Sequence, residues 1–375
     1  MKLTVVIVSY NVRHYLEQCI DSVQRAASNI DHEIYVVDNA SADDTVVSLR
    51  QRYADQITLI ESHRNLGFAR ANNIAIRQSD SEYVLLLNPD TFISEDALSQ
   101  VLTFMDEHPK AGGVGVKMHN ADGSVARESR RGLPTPWVSL LKMLGFSRRY
   151  YMSHLSWDEP GRIDVMSGAF CMLRREALEK VGLLDEDFFM YGEDIDLSYR
   201  ILKGGYENWY VPATIMHYKG ESTQKSSYRY VHVFYQAMLI FFRKHYGHLS
   251  FFVTVPVKLA IYFRAVIALM QMQYWRARLY LGLGGKEGAD TPFYFTGSAD
   301  MLEECRQLAR RKGLSAHFEE LPSPLPEGAC IVYDTRHFSY GQIIADMHLH
   351  AGNRHMIGTY STETKTIITP KDIIR

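Results

Sequence analysis

At 375 residues the chain has room for more than one domain. With 46% hydrophobic and 22% charged residues it has the composition of a globular protein. A net charge of −2 carries no polyelectrolyte signature, which argues against a nucleic-acid partner. Cys19, Cys171, Cys305 and Cys330 lack C-x-x-C spacing, so a reducing compartment is expected rather than a zinc or disulfide framework. The apolar start at Thr4–Val8 is too short for the core of a secretion signal and runs straight into Ser9-Tyr10-Asn11. A cytoplasmic protein is the expectation.

Leu3–Val8 is apolar and β-branched, which predicts a first strand. Tyr15, Leu16, Cys19, Ile20 and Val23 recur at helical spacing behind it. Glu33–Val37 predicts a second strand, ending in Asp38-Asn39-Ala40-Ser41. A helix from Thr45 toward Tyr53, a strand at Ile57–Glu61 and a glycine turn at Asn65-Leu66-Gly67 into another helix follow. Tyr83–Leu87 is a continuous apolar run, too short for an ordinary helix, stopped by Asn88-Pro89-Asp90. That is the pattern of a strand buried on both faces, and Pro89 has no N–H to continue a ladder. The alternation predicts an α/β, doubly wound, mostly parallel sheet. Asp90 then lies at the carboxyl edge of a central strand, where open sheets of this kind receive ligands.

Asp38 and Asp90 each have two readings. Aspartate starts turns and caps helices. At one sheet edge, however, Asp38 could accept from a base or ribose hydroxyl, and Asp90 could hold a divalent cation against a diphosphate. Gly67 would let backbone approach such a ligand closely. Further on, Gly113–Met118 and Ile163–Arg174 read as strands. The basic cluster Arg127–Arg131 before Pro134-Thr135-Pro136 reads as a solvated loop, ahead of phosphate contact by Arg130 or Arg131 from a lid. Trp137–Arg149 predicts a short amphipathic helix over the acceptor side. Phe188-Phe189-Met190-Tyr191-Gly192 is a turn into a helix starting Glu193-Asp194-Ile195-Asp196. Carboxylates there are ordinary dipole partners, the plain reading of Glu193 and Asp196. Asp194 lies among apolar and aromatic neighbours, a setting that suits a base taking a proton from a hydroxyl. Trp209–Pro212 reads as a last strand, followed by the lone His217.

Together, Val5–Asn11, Val36–Ser41, Asn65–Ala69, Leu87–Asp90, Ser167–Phe170, Phe189–Leu197 and His217-Tyr218-Lys219-Gly220-Glu221-Ser222 resemble the family 2 glycosyltransferases, in particular the rhamnosyltransferase-like subgroup. The resemblance covers roughly the first 245 residues and rests on the order and spacing of the motifs. It implies the nucleotide-diphosphosugar transferase (GT-A) fold. It also implies a catalytic base at Asp194 and a metal-binding histidine at His217, beside Asp90, for Mn²⁺ or Mg²⁺. Ser9, Tyr10, Asn11, Asp38, Asn65, Gly67 and Asn88 would hold the nucleotide, with Ser167, Gly168 and Glu193 around the donor sugar. Asn88 departs from the Asp-x-Asp of many relatives, so an amide stands where a carboxylate would strengthen metal binding.

Tyr228–Tyr246 is aromatic at helical spacing. From Phe251 to Met270 the chain is very apolar, yet Pro256, Lys258 and Arg264 make it a poor membrane span. Arg264, Gln271 and Arg278 recur every seven positions, so the helix either packs on its own domain or lies in a membrane interface with Tyr274 and Trp275 at headgroup depth. Gly282–Gly288 is a flexible linker. Beyond it, strand and helix patterns alternate through Tyr360 as a small Rossmann-like α/β module, without a full G-x-G-x-x-G. It loosely resembles a soluble region of bacterial sugar-phosphate polyprenyl transferases, and a docking or regulatory role is expected. The expected units are 1–246, 247–281, the linker 282–289 and 290–375.

The chain is therefore expected to be an inverting glycosyltransferase of bacterial surface polysaccharide synthesis. It would use a dTDP-, UDP- or GDP-linked sugar and a glycan or polyprenyl-linked acceptor, with peripheral contact at the inner face of the plasma membrane. Two rivals stand beside it. A nucleotidyltransferase would want a basic, glycine-rich turn after the first strand, where this chain has Ser9-Tyr10-Asn11. A non-catalytic sugar-nucleotide-binding or scaffold subunit would not need Asp194.

Overall fold

The computed structural model describes residues 1–218, 228–247, 251–280, 291–319, 321–352 and 355–375. The motif tail Lys219–Ser222 and the linker at 282–288 lie outside the described residues, as do the side chains of Arg264 and Trp275.

The amino-terminal unit runs β1 (Leu3–Ser9), α1 (Arg13–Ala26), β2 (His32–Asp38), α2 (Thr45–Arg52), β3 (Thr58–Glu61), α3 (Phe68–Gln78) and β4 (Tyr83–Leu87). There follow β5 (Thr91–Ile93), α4 (Ala97–Glu107), β6 (Ala111–Asn120), α5 (Pro136–Met143), β7 (Gly161–Ile163) and β8 (Phe170–Arg174). Next come α6 (Arg175–Val181), α7 (Glu193–Lys203), β9 (Glu207–His217), α8 (Tyr228–Tyr246) and α9 (Phe251–Tyr280). The order in the main sheet is β3-β2-β1-β4-β8-β6-β9-β5, with β7 against β9. The block from β3 to β4 is parallel; β8 enters antiparallel to β4 and to β6.

The apolar run of β4 follows from its place. Tyr83, Leu85 and Leu87 face one hydrophobic core with α1 and α4; Val84 and Leu86 face another with α3. A strand covered on both sides needs apolar residues at every position. Pairing stops at Leu87, as Pro89 requires.

Two strand expectations need correction. The segment 163–174 is not one strand: β7 and β8 flank a turn at 164–169, because Ser167 pairs back onto Phe170. The last strand is much longer than Trp209–Pro212. β9 absorbs Pro212 at a register shift against β6 and carries His217 to its end. β5 and α4 were not anticipated.

The second sheet is built from β10 (Phe293–Thr296), α10 (Ala299–Lys312), β11 (Ala316–His317), β12 (Cys330–Asp334), α11 (Tyr340–Leu349), β13 (Met356–Ser361), β14 (Thr366–Ile368) and β15 (Ile373–Ile374). Its order is β11-β10-β12-β13-β14-β15, parallel through β13 and antiparallel beyond. It shares a core with the first unit. Val12, Tyr15, Phe92, Met216 and Tyr218 pack with Ile331, Tyr333, Tyr340 and Ile343. Tyr15 donates to the Thr369 carbonyl at 2.7 Å, and Tyr340 to Asp21 at 2.8 Å.

Candidate functional site

The carboxyl ends of β1, β2 and β4 share one edge, since Ser9 pairs with Asp38 and Ile7 with Leu87. Ser9 and Asp38 are buried there, and Ser9 Oγ and Asp38 Oδ1 have no hydrogen-bond partner. The other oxygen of Asp38 accepts from Ser41 N at 2.9 Å, which fixes the carboxylate in its turn. Asn11 has left-handed backbone (φ 55), an asparagine's habit, and its amide oxygen accepts from Ala42 N at 2.7 Å. Tyr10 is exposed beside it. Asn65 accepts from Asn39 Nδ2 and Gly67 N, both at 3.0 Å. Gly67 is required: φ is +81, and a Cβ there would lie 2.4 Å from the Phe189 carbonyl oxygen. That carbonyl accepts from Phe68 N at 2.7 Å, clamping the start of α3 to the turn before α7.

Asp90 and His217 belong to different motifs far apart in the sequence, yet His217 Nε2 lies 3.3 Å from Asp90 Oδ1. The antiparallel pairing of Thr91 with His217 creates that contact. Asn88 Nδ2 is 3.4 Å from the same imidazole nitrogen. Among the described residues, no group of three or more His, Cys, Asp and Glu gathers as a metal centre. One carboxylate, one imidazole and one amide do fit an ion that takes its remaining ligands from a diphosphate.

Asp194 reaches this edge through the 167–169 turn. Gly168 N donates to Asp194 Oδ2 at 3.2 Å, while the Ala169 carbonyl next to it accepts from Asn88 N at 3.0 Å. A Cβ on Gly168 would meet Asp194 only at ordinary contact distance, so the visible role of Gly168 is this N–H. Ser167 Oγ serves its own turn, accepting from Ala169 N at 3.4 Å. Ile195 N donates to Asp194 Oδ1 at 2.8 Å.

The basic cluster is not a solvated loop. The Arg131 side chain is only 12% exposed, and its Nη2 donates to Asp194 Oδ2 at 2.5 Å and to the Met166 carbonyl. An antiparallel bridge to Val165 draws it inward. Arg130 is buried, stacked 3.3 Å from the centre of the Trp157 ring. Asp194 thus has a guanidinium and two backbone N–H groups around it, rather than the apolar wall its sequence neighbours suggested. Glu193 is buried beside it with Oε2 unpartnered; burial, then the charge of Asp194, push its carboxyl up to about 8. Asp196 is structural. Wholly buried, it takes Arg200 Nε at 2.8 Å, Lys244 Nζ at 2.8 Å and His245 Nε2 at 2.6 Å, fastening α8 to α7.

Of the site residues expected from sequence, Asn88, Asp90 and His217 are brought into contact, as are Gly168 and Asp194. Sequence reasoning missed Arg131 as a partner of Asp194. Its only signal was an arginine pair directly before a Gly-Leu-Pro break.

Residues 4–182 match the family described as Glycosyl transferase family 2. Among curated relatives, the N-acetylglucosaminyl-diphospho-decaprenol L-rhamnosyltransferase of Mycobacterium tuberculosis is 29% identical over 260 residues, 64% of this chain and 83% of the relative. Rhamnosyltransferase WbbL of Escherichia coli is 26% identical over 219 residues, 56% of this chain and 80% of the relative. Among solved structures, the mannosyltransferase PcManGT from Pyrobaculum calidifontis, in complex with GDP-Man and Mn²⁺, aligns with a TM-score of 0.48 at 21% identity. That alignment covers 83% of this chain and 81% of the other.

Proposed function

We propose, from the premise that the chain is a family 2 glycosyltransferase through residues 4–182, that it moves a sugar from a nucleotide diphosphate to a hydroxyl of a lipid-linked glycan acceptor, with inversion. Bacterial cell-surface polysaccharide is the setting, in keeping with the relatives that act on a diphospho-decaprenol sugar or carry the name rhamnosyltransferase. The observation that carries the reading is convergence. Unpartnered Ser9 Oγ and Asp38 Oδ1, the Asp90–His217 contact and Asp194 all come to the carboxyl edge of one sheet.

In this reading Asp38 and the Ser9–Asn11 turn take the nucleoside, with Asn65 and Gly67 shaping the wall beside it. Asp90 and His217, helped by Asn88, would hold a divalent cation, which when bound supplies positive charge against the leaving diphosphate. Asp194 takes the proton of the acceptor hydroxyl as that oxygen attacks the anomeric carbon from the face opposite the leaving group. Arg131, Gly168 N and Ile195 N orient the carboxylate for that step. Glu193, whose carboxyl burial and the charge of Asp194 push up, stands beside Asp194 on the donor-sugar side. In the division 1–246, 247–281, 282–289 and 290–375, the first unit carries transfer, the second meets lipid, and the last serves docking.

A thermal-shift panel tests the donor side. dTDP, UDP or GDP with Mn²⁺ should raise the melting point, since binding to the folded state stabilises it. For a ligand at about 100 times its Kd the gain is about 2.7 kcal/mol. The Mn²⁺-dependent part should vanish in His217→Ala. No shift with any diphosphate would remove nucleotide binding from this edge.

The lipid side rests on exposure. No helix among the described residues is long and apolar enough to cross a membrane. Even so, Leu259, Tyr262, Phe263, Val266, Met270 and Tyr274 of α9 are exposed, 51–65% of each, at helical spacing. α5 packs against α9 and adds exposed Trp137 and Leu140, with Leu144 and Phe146 just beyond. Residues 228–280 contain no Asp or Glu, while Lys and Arg recur among them, so the surface suits anionic headgroups. The full chain should float with vesicles of anionic phospholipid and not with zwitterionic ones, and Phe146→Ser with Phe263→Ser should weaken flotation. A chain that stays at the bottom of the gradient with both vesicle types would leave α9 as a packing helix.

A further inference from the structure

We infer that the cleft between α1 and the second sheet is a binding site for a neutral carbohydrate of one or two sugar units, separate from the transfer site. The cavity has a volume of about 270 Å³. None of its lining residues is among those assigned to transfer. One wall is α1, through His14, Gln18 and Asp21; the other is the chain at and just past the ends of β12 and β13, through Thr335, Ser361 and Thr362. β10, β12 and β13 are parallel, and the carboxyl edge of such a sheet is where α/β modules receive ligands.

The usual crevice at that edge, between β10 and β12, is closed. Asp334 fills it, accepting from Ser298 Oγ at 2.6 Å, and a Cβ on Gly297 would lie 2.4 Å from the Asp334 Cβ. What stays open is displaced toward α1. There, both ring nitrogens of His14 and the hydroxyl of Thr362 are buried without a hydrogen-bond partner. His14 is only 7% exposed. Buried polar groups without partners are costly, and one on each wall of the same cavity points to a ligand that would satisfy them.

The wall also selects the ligand class. Arg25 pairs with Asp21, Arg52 with Glu17 and Glu363, and Arg336 with Glu363, so these guanidinium groups already face carboxylates. An anion would have to compete with them. Burial lowers the proton affinity of His14, leaving a neutral imidazole with one donor and one acceptor. A phosphodiester only accepts and cannot satisfy that acceptor nitrogen. A sugar hydroxyl both donates and accepts, matching His14 and Thr362, and the neighbouring hydroxyls of Ser361 and Thr364 extend the same chemistry.

The test is saturation-transfer NMR on the full chain with D-glucose, N-acetyl-D-glucosamine, L-rhamnose and cellobiose, each with and without saturating UDP. At least one sugar should receive magnetisation, and should do so equally in Asp194→Asn. Thr362→Val keeps shape but removes one hydrogen bond and should weaken that sugar about fivefold, the worth of a net hydrogen bond. His14→Phe should weaken it further. Donor hydrolysis should be unchanged in Thr362→Val, which separates this site from the transfer reading. Melting curves verify that both variants fold, and Gln24→Ala, on the same wall, supplies a second probe if one does not. No transfer from any of the four sugars, or binding undiminished in all three variants, overturns the inference. Stabilisation by inorganic phosphate where the sugars give none overturns the ligand class.

Discussion

Asp194→Asn is expected to lose turnover of a nucleotide sugar by about 10³-fold, within the range that removal of a general base produces. The substitution keeps the volume and the oxygen that accepts from Ile195 N. It removes the charge that can take a proton. Because Asp38, Asn65 and the Asp90–His217 contact do not touch Asp194, affinity for the nucleotide diphosphate should stay near wild type. Steady-state hydrolysis and transfer, set against calorimetric titration of the diphosphate, separate the two effects. Unchanged hydrolysis would take Asp194 out of the chemistry. Lost binding would mean that the carboxylate shapes the donor pocket instead.

Arg131→Met should cost folding stability as well as turnover. The guanidinium is paired with Asp194, the two side chains 12% and 16% exposed, with the buried Glu193 next to that carboxylate. Removing the cation leaves two carboxyl groups side by side in low dielectric, and breaking a buried pair in this way typically costs about 3–5 kcal/mol. Urea unfolding at pH 7 should show the midpoint falling with its slope retained. Arg131→Lys keeps the charge but not the planar fork, so it should recover much of the stability and less of the turnover. The split between the two variants is the informative readout. A merely structural arginine would let turnover recover along with stability, whereas one that orients the base would not.

These two residues also differ in how far sequence was informative. The run Tyr83–Leu87 announces its strand because both faces are covered, and physics then leaves no place for a polar residue. The position of Asp38 and Asp90 at the sheet edge follows for a related reason: Asp38 closes β2 and Asp90 comes just after β4, strands whose ends are set by local chemistry. Arg131 was not legible. Its partner lies 63 residues away, and whether an arginine cluster is solvated or buried depends on a long-range bridge to Val165 that leaves no local trace. His217 is an intermediate case. A lone histidine says nothing by itself, and only the antiparallel pairing of β5 with β9 brings it to Asp90. The strands β14 and β15 went unforeseen because two- and three-residue pairings carry almost no periodicity. Glu193 and Asp196, both acidic side chains in the first turn of α7, meet opposite fates. One is left with an unpartnered oxygen and the other is fully paired by α8, a difference set by tertiary contacts alone.

The measurement that bears most directly on the reaction centre needs no acceptor. A donor sugar is hydrolysed by the full chain while the anomeric protons are followed by NMR, before the free sugar can equilibrate. One carboxylate delivering the attacking oxygen from behind the leaving group predicts that the first anomer released has the opposite configuration to the donor. Release of the retained anomer would require a second nucleophile on the donor's other face, and would contradict the assignment of Asp194, Asp90 and His217 to a single displacement.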